Sequence, residues 1–259
     1  MFAFSKQANT ILNPSGNTIA TRFLVPISYN RMSQQANSFG DFLQNLSLKP
    51  NGTLVHYYNG DEKANKVAAA VLTMDVGNKD LQQCADAVMR LRAEYLLKEK
   101  KYESLHFNFT NGFKADYVKW RNGYRIAVKG SSVNWVKTSK ESLSYQSFRE
   151  YMNMVFNYAG TASLTKELKS IHLSQMQVGD VFIKGGSPGH AVIVVDMAIN
   201  PKTNKKLFMI AQSYMPAQDI HVLINKNNPS ISPWYELDEM ASEVYTPEWT
   251  FEGNQLKRF

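Results

Sequence analysis

Between Asp180 and Asn225 the chain reads as four short β-rich runs joined by turns, and this stretch constrains the fold more than any other. The runs are Asp180–Lys184, His190–Ala198, Lys206–Tyr214 and Asp219–Asn225. Glycines at 185, 186 and 189 fill the first turn, and Asn200-Pro201 with Asn204 marks the second. Strands joined so closely run antiparallel, because a parallel return needs a crossover of about a dozen residues or more. The spacing therefore predicts an antiparallel meander. The apolar run Ala191–Val195 (AVIVV) lacks polar alternation, which predicts a strand covered on both faces, with helices as the available cover.

The clearest helix precedes this region. CADAVMRLRAEYLLKEKK, from Cys84 to Lys101, is built of strong helix formers and ends in lysines that suit the negative end of the helix dipole. Asp80 followed three residues later by Gln83 resembles a capping box and sets the expected start, which leaves Cys84 one turn inside the helix. Val88, Leu91 and Tyr95 form an apolar stripe, and Cys84 lies one turn before Val88 on it, so the cysteine is expected to face inward. A second helix is expected across SYQSFREYMNMVFNYAG, where Phe148, Tyr151, Met152, Val155 and Phe156 follow the helical period and Gly160 is a stop. Thr53–Gly60 and Leu105–Phe109 read as strands, while Lys66–Gly77 fits either strand or helix. A helix-rich first half and a meander in the second predict an α+β fold.

No repeat, low-complexity stretch or linker divides the 259 residues, so the chain reads as a single domain, 1–259. Within it, 1–77 reads as an N-terminal extension and 78–225 as the core. A composition of 44% hydrophobic, 12% aromatic and 20% charged residues is that of an ordinary globular protein. No run approaches the roughly 18 apolar residues of a membrane span. The opening MFAFSKQANTILNPSGN holds too little apolar sequence for a secretory signal core. Two compartments stay open: the cell envelope or periplasm if a signal has been removed, the cytoplasm otherwise. The net charge of +7 is dispersed, its densest clusters (Lys98, Lys100, Lys101; Lys202, Lys205, Lys206) falling at a helix end and a turn, where solvated surface is the expectation. No nucleic-acid-binding motif occurs.

A single cysteine excludes an internal disulfide and a cysteine-based zinc cluster, and leaves two roles, a small buried hydrophobe or a nucleophile. Thiol catalysis needs a sulfur near a helix start or a cation, an imidazole to exchange its proton, and a third polar group to orient the imidazole. Cys84, His190 and Gln212 supply these in order along the chain. If the second turn centres near Lys202, His190 faces about residue 214 and Gln212 is its neighbour on the same face. A one-residue shift exchanges Gln212 for Ser213, and His221 is a reserve third member. Gln212 is preferred because its amide oxygen accepts from an imidazole N–H.

Other features point less far. The GGSPG turn joins two strands and opens no helix, so a phosphate loop is not expected. His56, His106, His172 and His221 lack metal-like spacing, and no cofactor is implied. Asp75, Asp80 and Asp86 read as cap and surface, with a glycosidase-type carboxylate pair as the alternative. Trp120, Trp135 and Tyr124 read as core, with a sugar- or peptide-binding groove as the alternative.

The order of a cysteine at a helix start, then GDVFI, then GHAVIVV, then a strand with a polar residue, resembles the papain-like cysteine hydrolases. Within these it is most similar to the branch that includes the NlpC/P60 and CHAP cell-wall amidases and peptidases, where a Gly-Asp such as Gly179-Asp180 opens the strand before the histidine strand. The resemblance implies a papain-like core with Cys84 as nucleophile, His190 as base, Gln212 as orienting residue, and a peptide or peptidoglycan-like substrate. The chain departs from that branch after the cysteine, where Ala85-Asp86-Ala87 replaces a Ser-Gly-like stretch and Asp86 opposes a thiolate. From SFGDFLQNLSLKP through QQCADAVMRLRAEYL and AQSYMPAQ to TPEW, the chain is also similar to an uncharacterised bacterial family of unknown function. Two functional expectations follow: a thiol amidase or peptidase, and a non-catalytic envelope protein that holds a glycan or peptide on the same scaffold.

Overall fold

The structure, a computed structural model, describes residues 10–259. The first nine residues of the N-terminal stretch therefore lie outside the described residues. Short elements come first: Ile19–Arg22 (α1), Asn30–Arg31 (β1), Phe39–Gln44 (α2) and Ala68–Val71 (β2). The long helix Cys84–Lys98 (α3) follows. Two hairpins, His106–Asn108 with Lys114–Asp116 (β3, β4) and Tyr124–Lys129 with Ser132–Lys137 (β5, β6), flank the helix Tyr117–Arg121 (α4). Helices Tyr145–Tyr158 (α5) and Thr161–Glu167 (α6) close this part. The strands Lys169–Ser170 (β7), Val181–Lys184 (β8), His190–Ile199 (β9), Lys206–Gln212 (β10) and His221–Leu223 (β11) come next. Tyr235–Glu236 (β12), Glu243–Tyr245 (β13), Thr250–Glu252 (β14) and Leu256–Arg258 (β15) complete the chain.

The protein is a mixed α+β fold built mostly of antiparallel sheet. Nine strands form the main sheet in the order β2-β11-β10-β9-β8-β15-β7, with β1 on the far end of β9 and β12 on β10. Strands β8 to β11 are sequential neighbours, the meander that the short turns dictate. Strands from outside 78–225 extend it at both edges: β2 pairs with β11, and β15 pairs with β8.

Strand β9 is buried on both faces, as its unbroken apolar run requires. Helices supply only one of the two covers. On that side Ala191, Ile193 and Val195 pack with Val88 and Leu91 of α3 and Phe148 and Tyr151 of α5. The opposite face, with Phe182, Val192, Val194 and Ile210, is covered by Leu173, Met176, Tyr235, Phe251 and Leu256. The C-terminal segment, with Leu173 and Met176 from before β8, thus does what the sequence assigned to helices. Burying a side chain of this size contributes about 1.5–3 kcal/mol, so each cover is a substantial part of the fold's stability.

Two other expectations are corrected. Thr53–Gly60 forms no strand; it makes only the isolated bridges His56↔Glu62 and Tyr57↔Gln218. Its backbone is satisfied by single bonds instead, with His56 N–H donating to the distant Asp219 carboxylate at 3.1 Å and Tyr57 N–H to the nearby Asp61 O at 2.8 Å. Asp80 does not cap α3: Gln83 is the N-cap residue, and its backbone N–H donates to Asp86 at 3.1 Å. Cys84 is accordingly the first residue of the helix.

Candidate functional site

Three local structures bring the chemistry together. The first is the start of α3. Asp80 sits in the preceding turn and accepts Gln83 Nε2 at 3.0 Å and the backbone N–H of Ala217 at 2.7 Å, which ties the helix start to the loop after β10. Cys84 is placed where helix N–H groups are unpaired, and its own N–H and that of Ala85 favour a thiolate at its sulfur. The N–H of Ala191, the residue after His190, acts in the same direction.

The second is the turn before β9. Gly189 lies so close to the backbone oxygens of Gly186 and Lys184, and to Thr161 Oγ1, that a Cβ there has no room. Only glycine lets the chain enter β9 at this angle, and His190 is the next residue. One strand back, Gly179 has φ +98°, a conformation that favours glycine, and a Cβ there would press on the Phe39 ring. The adjoining Asp180, 1% exposed, clamps Arg258 of β15 through bonds of 2.6 and 2.8 Å. The Gly-Asp pair therefore fixes the strand that carries the histidine's neighbours.

The third is the register of β10. Lys206 to Met209 pair with Ile199 to Asp196, and a bulge then moves Ile210 opposite Val194. Continuing that ladder puts Tyr214 opposite His190 and Gln212 on the histidine's face. Gln212 Oε1 lies 2.9 Å from His190 Nε2. Both residues are 1% exposed. The imidazole is enclosed by Tyr214, Trp249 and Phe251, with ring centroids at 4.8, 5.3 and 5.8 Å.

Burial governs the electrostatics. It pushes the Cys84 thiol up to about 11, with the Asp86 carboxylate adding to the rise and the three backbone N–H groups opposing it. It pushes His190 down to about 4, against the hydrogen bond its Nε2–H donates to Gln212 and the charge of Glu248. Near neutral pH the pair is a neutral thiol and a neutral imidazole. Among the described residues no hydrogen bond joins Cys84 Sγ to the ring, and none uses His190 Nδ1.

Ser213 and His221 occupy other places. Ser213 Oγ turns to the backbone oxygens of Gln82 and Gln218, each at 2.9 Å. His221 stands behind Gln212, its Nε2 3.4 Å from Gln212 Nε2 and its Nδ1 2.9 Å from Asp219 O. Asp75, Asp80 and Asp86 face no common cleft: Asp75 pairs with Arg149 at 3.0 Å, and the other two serve the start of α3. Trp120 is core, donating to Ser147, and Trp135 packs on Phe113.

Two side chains with no sequence signal complete the network. Glu248 accepts Gln212 Nε2 at 2.7 Å, Asn65 Nδ2 at 2.9 Å, and Lys63 Nζ at 2.8 and 2.9 Å. Lys63, 5% exposed, also donates to Gln218 Oε1 at 2.9 Å. Although burial raises Glu248, its bonds from Lys63, Asn65 and Gln212 bring it below the ordinary carboxylate value. Among the described residues no group of three or more His, Cys, Asp or Glu converges as a metal site, and no helix is long and apolar enough to cross a membrane. A cavity of 440 Å³ opens elsewhere on α3, lined by Arg90, Glu94 and Lys98 with Asp75 and Tyr145, and neither Cys84 nor His190 lines it.

No curated protein and no solved structure matches the chain. A family match does, and it spans residues 19–258, from α1 to the last strand, including Cys84, His190, Gln212 and Glu248. The chain belongs to the DUF4846 family, a domain of unknown function.

Proposed function

We propose that this chain is a papain-like thiol hydrolase that cleaves an amide bond, with Cys84 as nucleophile, His190 as base and then acid, and Gln212 as the orienting residue. One observation carries the reading: His190 Nε2 is held by the Gln212 amide oxygen at 2.9 Å, while the backbone N–H of the residue after it lies close enough to Cys84 to favour the thiolate. An oxygen partner holds the proton on Nε2 and leaves the Nδ1 lone pair to take another.

In this mechanism Cys84 Sγ attacks the carbonyl carbon as its proton passes to His190 Nδ1. The carbonyl pair moves to oxygen, where the N–H groups of Cys84 and Ala85 at the start of α3 stabilise it. Collapse breaks the C–N bond, and His190 returns the proton to the departing amine. Water, deprotonated by the same nitrogen, then releases the acid from the thioester. Because thiol and imidazole are both neutral at rest, this is general-base catalysis and not a preformed ion pair. The NlpC/P60 resemblance points to a cell-wall peptide as substrate.

A second reading is favoured by the burial of Cys84, a residue 8% exposed whose thiol is pushed up to about 11. On it the protein holds a glycan or peptide in the cell envelope without cleaving it. The rate of Cys84 alkylation by iodoacetamide between pH 6 and 10, in the native protein and in His190→Ala, separates the two. A hydrolase labels in the native state and slows by roughly tenfold or more near neutral pH when the base is removed. Labelling only after denaturation, or at the same rate in both proteins, leaves the binding protein.

A further inference from the structure

We propose that Glu248 is a positioning residue: by accepting from Gln212 Nε2 it fixes which end of the Gln212 amide faces His190, and so fixes the imidazole tautomer. This rests on the thiol-hydrolase reading for its consequence, but not for its geometry.

The two ends of a glutamine amide are nearly the same shape, and only their hydrogen-bond partners tell them apart. Gln212 has two partners at its nitrogen. Glu248 Oε2, at 2.7 Å, belongs to a carboxylate that can only accept, ionised by its contacts with Lys63 and Asn65. His221 Nε2, at 3.4 Å, is the weaker of the two. Its other nitrogen faces Asp219 O at 2.9 Å, which also can only accept, so His221 is protonated at Nδ1 and its Nε2 carries the lone pair. Both partners therefore demand N–H from Gln212. The amide oxygen is left for His190, which must then carry its proton on Nε2 and leave Nδ1 open. Reversing Gln212 would put N–H against His190 Nε2, move the ring proton to Nδ1, and remove the acceptor that the Cys84 thiol needs.

Glu248→Gln is the direct test. Lys63 bridges both oxygens of residue 248, but Asn65 donates to the far one alone, so Asn65 turns the new amide nitrogen toward Gln212 and favours its reversal. Lys63→Met/Glu248→Gln removes both members of the buried pair and gives a second variant without an uncompensated charge. Long-range ¹H–¹⁵N correlation of the His190 ring reads the tautomer directly, and thermal unfolding reads stability separately. The wild type is expected to show protonated Nε2 alone, and both variants a population protonated at Nδ1. Cys84 alkylation near pH 7.5 is expected to fall roughly in proportion to that population. A ring that stays entirely Nε2-protonated in both variants overturns the role of Glu248. A tautomer that moves, with alkylation indifferent to it and to His190→Ala, upholds the positioning role and overturns the hydrolase.

Discussion

At the scale of single residues, Asp86 sets the limit on Cys84. It is the N3 residue of α3, accepting the Gln83 N–H, and burial pushes its own carboxyl well above the ordinary range. After burial itself it is the next cause of the raised thiol. Asp86→Asn keeps an oxygen for the cap and removes the charge, so the Cys84 titration should move down. Alkylation measured from pH 8 to 11 should reach half its maximum at lower pH than in the wild type, while stability falls by at most about 1 kcal/mol, the worth of a first-turn anion. An unchanged midpoint would assign the whole rise to burial. The sequence already set Asp86 against a thiolate, and it made Cys84, His190 and Gln212 visible because one cysteine and a histidine opening a β run are rare enough to stand out. Glu248 and Lys63 were not visible in the same way. They lie 36 and 149 positions from Gln212, in segments with no periodicity, and only the folded chain brings them to it.

At the scale of elements, the neighbour of His190 depends on one extra residue. From Ile199↔Lys206 a regular ladder would put Ser213, not Gln212, on the histidine's face. The bulge after Met209 shifts the ladder by one and restores Gln212. A turn centred near Lys202 gives the same pairing at His190, but for a different reason: the turn sits half a residue later and the bulge makes up the difference. Composition carries no mark of it, since Val194, Val195 and Ile210 suit either register. The strand that flanks the other side of β8 is equally silent. LKR (Leu256–Arg258) is too short to read as a strand, yet Leu256 is fully buried and Arg258 holds the Asp180 carboxylate. Arg258→Ala leaves that carboxylate buried without its cation, a change that costs about 3–5 kcal/mol. The urea midpoint should drop accordingly, and Arg258→Lys should recover only part because it cannot form both bonds at once. A loss below about 1 kcal/mol would mean that Asp180 relaxes toward water and that β15 is held by Leu256 alone.

At the scale of the whole molecule, the sheet has two unlike covers, and the difference shows as a dependence on pH. Helices with regular periods form one cover, and their placement follows from the sequence. The other is the irregular segment from Tyr235 onward, with Leu173 and Met176 from before β8, whose apolar residues are too widely spaced for a pattern to announce them. That second cover, with the network around Glu248, encloses His190 and His221, both driven down to about 4 by burial first. His106 shifts the same way. An unfolded chain binds these protons near the ordinary value of ~6.5. Their contribution to stability is therefore present in full above ~6.5 and is lost as the pH falls toward 4, because only the unfolded chain takes up protons in that interval. Each fully buried histidine adds a slope approaching about 1.4 kcal/mol per pH unit, an upper figure since relaxation of the cover softens it. Urea midpoints should be level from pH 7 to 8 and fall steeply from 6.5 to 4.5. His221→Asn, whose amide N–H can still meet Asp219 O, should remove close to half of the slope contributed by the pair. If the slope survives that substitution and His190→Gln alike, the acid sensitivity belongs to carboxylates such as Glu248, and the second cover opens before its histidines are protonated.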